Sequence, residues 1–166
     1  MIGITDLAAL ALSVGFPLIF GGLLGSSIRK DVKGWYSRIR KPTWNPPNWL
    51  FGPVWGVLYT CMGFAAWLVW REGGLEVQKL PLGLYAAQLA LNLAWTPIFF
   101  KAHRIKLALI DISALLVLVV LTASKFSTVI GLQTTVLLMG PYLLWSAFAA
   151  ALTYSILALN LSAKAN

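Results

Sequence analysis

Five long apolar runs divide this chain, and each is close to the length that crosses a bilayer. They are Leu7 to Ile28, Trp49 to Trp70, Leu80 to Phe100, Ile105 to Ser124, and Val129 to Leu161. A bilayer core takes about 20 residues of helix, and no lipid-facing backbone group can be left without a partner there. The expected fold is therefore an all-α membrane protein, a five-transmembrane-helix bundle forming one domain over residues 1–166. Its helices should cover roughly 7–28, 49–70, 80–100, 105–124 and 133–160. Charged residues make up only 11% of the chain, against about 25% in a soluble domain. The first run has a rival reading as a signal peptide. It lacks a basic start, carries Asp6 instead, and is long for that role. The last run exceeds one span, so its first turns lie outside the bilayer or tilt, and Pro141 should kink it.

The net charge of +8 would direct a soluble protein toward nucleic acid. Here the cations sit in short loops between apolar runs, which reads as topology and contact with anionic lipid, not nucleic acid. Arg29, Lys30, Lys33, Arg38, Arg40, Lys41, Lys101, Arg104, Lys106 and Lys164 fall on one side of a five-span chain, leaving Arg71, Lys79 and Lys125 on the other. The excess side is expected to be cytosolic, with loop 29–48 and the C-terminus there and the N-terminus across the membrane.

That first loop is unusual. It runs into WYSRIRKPTWNPPNWLFGPVWGVLY, and Trp35, Trp44, Trp49 and Trp55 are half of the eight tryptophans. Pro42, Pro46 and Pro47 restrict their own φ and push the preceding residue away from helix. Two readings are open: a shaped lid over one end of the bundle, carried by Trp35, Lys41, Pro42, Trp44, Pro46 and Pro47, or an interfacial loop whose rings sit at headgroup level.

Motifs for common chemistry are absent: no Walker loop, dinucleotide fingerprint, HExxH or CxxC occurs. His103 stands alone in a basic loop, a poor start for a metal site or a haem ligand. Cys61 has no intrachain partner and reads as packing. No catalytic residue and no metal ligand is assigned, and no cofactor is required.

Helical spacing makes the third span the most informative. At about 100° per residue, Gln88, Asn92, Trp95 and Phe99 share one stripe, while Ala86, Ala90 and Ala94 lie nearly opposite. Amides are costly against lipid, so the first stripe should face the interior. Trp55, Tyr59, Met62 and Ala66 line one side of the second span, and Tyr142, Trp145, Ala149 and Leu152 one side of the fifth. Three tryptophans from three helices can line a pocket for a flat, mostly apolar molecule. The plainer alternatives are an aromatic core and helix-to-helix amide bonds. Asp111 is either a tie between helices or part of a proton relay. The alanine row permits close approach of a second copy, a homodimer through the third span. Gly21 and Gly25 form a competing small row in the first span.

These residues resemble a known family. Trp35-Tyr36, Lys41-Pro42-x-Trp44-x-Pro46-Pro47, Gly52-Pro53-Val54-Trp55, Gln88-Leu89-Ala90-Leu91-Asn92, Trp95, Asp111 and Pro141-Tyr142-x-x-Trp145 look like the translocator protein (TspO, or peripheral benzodiazepine receptor) family. The resemblance implies a dimeric five-helix bundle whose first loop closes a cytosolic-side cavity. It implies ligands such as protoporphyrin IX or a haem-type tetrapyrrole, sterols and benzodiazepine-type molecules. By position it carries over Trp55, Asn92, Trp95, Trp145, Ala149 and Leu152 as cavity residues, with Tyr59 and Gln88 joining them from the stripes. It implies a mitochondrial outer membrane, or a bacterial membrane in a prokaryote. It also carries other classes of role: light- or oxygen-dependent porphyrin breakdown using Trp55 and Trp145, or a stress-response membrane scaffold. The chain departs from the animal pattern at Leu107, Thr153 and Ala158, and no Lys or Arg follows Tyr154 within the sterol motif.

Overall fold

The computed structural model describes residues 3–165, with side chains as far as residue 161. The Lys164 side chain and Asn166, on which the charge asymmetry and the C-terminal placement partly draw, lie outside the described residues. In chain order the helices are α1 (Ile4–Ser27), α2 (Arg29–Lys33), α3 (Trp35–Arg38), α4 (Asn48–Arg71), α5 (Gly74–Val77), α6 (Lys79–Thr96), α7 (Ile105–Ile130) and α8 (Leu132–Ala165). A π-helical turn, Pro97–Lys101, extends α6, and no strand occurs among the described residues. Five of the helices are long and apolar enough to cross a membrane. The protein is an all-α, five-span membrane protein.

The spans form a ring in the order α1, α4, α8, α7, α6, with α6 returning to touch α1. The closest approach explains a glycine. A Cβ on Gly63 of α4 would run into the Ser13 carbonyl and the Val14 Cα of α1, so only glycine lets these backbones meet. Gly21 of α1 similarly makes room for the Tyr59 ring. At the α1 start, Asp6 accepts a bond from the Gly3 amide (3.0 Å), and Trp67 donates its indole N–H to the Asp6 carbonyl (3.0 Å).

Several boundaries differ from the sequence reading. The 29–48 segment is not a plain loop: its first half forms α2 and α3, and only residues 39–47 are irregular. The fourth span does not stop at Ser124. Lys125 is tolerated at the helix surface, and α7 continues to Ile130, so Val129 belongs to it and not to the fifth span. What separates α7 from α8 is Gly131, whose φ of +82° reverses the chain in one residue. Near the third span's end, helical pitch widens into the π turn, where the Ala102 amide bonds back to the Pro97 carbonyl.

Candidate functional site

Three helices bring their polar stripes together in the middle of the bundle. Tyr59 of α4 donates to Asn92 Oδ1 (2.8 Å). Asn92 Nδ2 donates to the Tyr142 hydroxyl (3.2 Å), and Tyr142 donates to Gln88 Oε1 (2.5 Å). Gln88 Nε2 then reaches Met62 Sδ (4.0 Å). One continuous chain of donors thus links α4, α6 and α8. Tyr142, Gln88 and Met62 are fully buried, which means each bond is made where water is excluded.

Aromatic rings fill the space around this chain. Trp55 lies on Tyr59 (centroids 5.4 Å) and presents its face to the Tyr142 edge (6.2 Å). Toward the α6–α7 end, Trp95 stacks on Phe99 (4.8 Å, planes 15° apart). Trp145 packs on Phe148 (5.2 Å) and edge-on to Phe51 (5.8 Å). Ala149 and Leu152 are buried on the same side of α8. The three stripes meet through Tyr59, Asn92, Gln88 and Tyr142, while Trp55, Trp95 and Trp145 around them are partly buried. The indole N–H groups of Trp95 and Trp145 and the Ser146 hydroxyl are buried without a hydrogen-bond partner among the described residues.

The segment between α1 and α4 is a built cover. Tyr36 is buried and donates to Asn45 Oδ1 (2.8 Å). The Asn45 side chain in turn donates to the Pro46 carbonyl (3.0 Å), and its amide closes a turn onto Pro42 (3.0 Å). Burial pushes the Tyr36 phenol up to about 12. Lys41 bends back to the Tyr36 and Ile39 carbonyls (2.7 and 3.0 Å) and lies over the Tyr36 ring. Pro47 leads into α4. The cover is pinned to the bundle by rings: Trp35 edge-on to Phe99 (5.5 Å), Tyr36 against Phe100 (5.4 Å) and Trp44 against Phe148 (5.6 Å). Trp49, in contrast, is 72% exposed and faces outward, as an interfacial tryptophan does.

Further holding contacts lie at the ends of the bundle. Asn160 at the far end of α8 forms a paired bond with the Arg40 backbone, accepting its N–H (3.1 Å) and donating to its carbonyl (2.9 Å). Lys101 pairs with Asp31 (2.8 Å) and donates to the Ser27 carbonyl (2.7 Å), tying α2 and the end of α1 to the π turn. The Lys101 ammonium, by hydrogen bond, holds the Asp31 carboxyl below its usual range. Tyr142, present in a stripe, proves to be the hub of the buried polar chain. Asn160 and Arg40 are 120 positions apart, and no local signal links them.

Asp111 is buried on α7, and its Oδ2 has no hydrogen-bond partner among the described residues. Ala86 and Ala90 are exposed on α6, and Ala94 is partly so, on the side away from buried Gln88 and Asn92. No cluster of His, Cys, Asp and Glu suited to a metal occurs among the described residues.

Known proteins share this arrangement of sequence. The TspO/MBR family matches residues 13–159. The human "Translocator protein" is 46% identical over 152 residues, 87% of each chain. The "Tryptophan-rich protein TspO" of Chlorobaculum tepidum is 37% identical over 93% of this chain and 98% of its own. A "Tryptophan-rich sensory protein" of Cereibacter sphaeroides is 39% identical over 88% of this chain and 85% of its own. Relatives thus occur in both mammals and bacteria, and with its matched region running from α1 into the last turns of α8, this chain belongs to the TspO/MBR family.

Proposed function

We propose that the protein is a membrane receptor, associated with transport, for flat hydrophobic ligands of the tetrapyrrole class, with protoporphyrin IX as the reference ligand. One observation carries the reading: the Trp95 and Trp145 indole N–H groups are buried, unpartnered and set among stacked rings beneath a pinned cover. Two free donors in an apolar surround suit a ring system bearing carboxylates or carbonyls, which would satisfy them. Trp55, Tyr59, Gln88, Asn92, Ala149 and Leu152 complete the lining. Trp35, Lys41, Pro42, Trp44, Pro46 and Pro47 form the lid. Sterols and benzodiazepine-type molecules are secondary ligands in this reading. The proposed site is the outer mitochondrial membrane, or the membrane of a prokaryotic source, with residues 29–48 and the C-terminus on the cytosolic side. The charge asymmetry supports that orientation.

Titrating protoporphyrin IX into the purified protein in detergent, kept in the dark, while following tryptophan fluorescence tests the reading. Saturable quenching that weakens about tenfold or more in Trp95→Phe and Trp145→Phe is expected. No saturable quenching, or quenching that both variants leave unchanged, rejects it. Repeating the titration under light separates binding from breakdown, since loss of the porphyrin absorbance that requires Trp55 and Trp145 would make the protein an enzyme.

A further inference from the structure

A concavity lies on the outside of the bundle, at the end where the cover sits. It is a groove of about 650 Å³ between α3, the α6–α7 corner, the start of α7 and the end of α8. Leu107, Ile110, Leu157 and Leu161 give it an apolar stretch of lining, of which Leu107, Ile110 and Leu161 are exposed. Its mouth carries Arg104 and Lys106, and no carboxylate is among its lining residues. Neither cation has an ion-pair partner among the described residues. The rest of the mouth is fixed: His103, in a left-handed conformation with φ +55°, stacks on Trp35 (4.2 Å).

We infer that this groove is a site for an anionic glycerophospholipid. The order of groups along it matches that molecule from head to tail. Arg104 and Lys106 meet a phosphate at headgroup level, where exposed cations attract anionic lipid. The uncapped first turn of α7, a 26-residue helix, adds its free N–H groups to the same region. From Arg104 to Ile110 the helix rises about 9 Å, enough for the upper part of one acyl chain to lie on Leu107 and Ile110. Leu157 and Leu161 of α8 face that chain from the other side. A neutral lipid would gain the apolar contacts alone, and a soluble phosphate only the charges, so selectivity requires both halves. The lipid would also touch the cover through Trp35 and Ile39, bracing it against α8. The site is separate from the interior proposed for tetrapyrroles and does not depend on that reading.

Native mass spectrometry of the full chain in detergent, with equal amounts of phosphatidylglycerol and phosphatidylcholine of the same acyl chains, tests it. The expected result is a first bound lipid that is phosphatidylglycerol by at least fivefold. The double variant Arg104→Gln/Lys106→Gln should bring that ratio near one. Leu157→Trp, which fills the apolar wall and keeps both charges, should cut phosphatidylglycerol retention severalfold. Arg29→Gln/Lys33→Gln, with two exposed cations outside the groove, should leave the ratio unchanged. Equal binding of the two lipids by the unaltered protein overturns the inference. So does an undiminished ratio in the Arg104/Lys106 variant, full retention by Leu157→Trp, or an equal loss in the Arg29/Lys33 variant, which would reduce the effect to general surface charge. Helical content measured on every variant confirms that each comparison is made on folded protein.

Discussion

Tyr142 holds the centre of the molecule with one oxygen. Its hydroxyl donates to Gln88 and accepts from Asn92, which in turn accepts from Tyr59. Tyr142→Phe keeps the ring and its edge contact with Trp55 but strands one donor and one acceptor in a dry interior. Hydrogen bonds between membrane helices are individually modest, and leaving buried partners unpaired is what costs most. The expected loss is about 1–2 kcal/mol, read as a lower melting temperature in detergent; a variant as stable as the parent would show that Gln88 and Asn92 find other partners. At the cover, Tyr36 predicts a pH effect. Its folded value, about 12, lies above the ordinary 10.0, so its contribution is complete below pH 10 and fades as pH rises toward 12. The phenolate absorbance difference between the parent protein and Tyr36→Phe should therefore show one group with a midpoint near 12. A midpoint near 10 would mean that Tyr36 is open to water.

Among the elements, the spans were the legible part and the short helices α2 and α3 were not. A run of about 20 apolar residues has one stable form in lipid, and the 3.6-residue period puts Gln88 and Asn92 on one stripe, which is buried. Helices α2 and α3, at five and four residues, are too short and basic to leave a hydrophobic pattern. Lys125 gave a false stop because a cation at a helix surface can reach the headgroups without ending the helix. Gly63→Ala sets a methyl against α1 backbone, which cannot give as a side chain would, and should destabilise by about 1–3 kcal/mol in thermal unfolding. Asn160→Ala removes both bonds to Arg40, worth about 1–2 kcal/mol together, or roughly tenfold in local opening. Trypsin should then cut after Arg40 about tenfold faster. Unchanged cleavage would show that the ring contacts alone hold the cover.

At the scale of the whole molecule, the outer face of α6 is where we propose that a second copy packs. Ala86 and Ala90 are exposed and Ala94 partly so, while the opposite side of the same helix carries the buried amides. Small residues at this spacing let two backbones approach and gain dispersion contacts that lipid does not match. The competing glycine row of α1 is divided by the fold: Gly21 is spent inside the bundle against the Tyr59 ring, and Gly25 has open space around it. A row with one member turned inward is a poor seam, so the proposed homodimer runs through α6. Ala90→Leu places a branched side chain in the middle of that seam and points it away from Asn92. The expected result is a dimer weakened at least tenfold in detergent, measured by crosslinking yield against protein concentration, with protoporphyrin IX quenching close to that of the parent. Gly25→Leu should leave the dimer unchanged. An undiminished dimer in Ala90→Leu would remove α6 from the interface, and loss of the dimer in Gly25→Leu would move it to the outer face of α1.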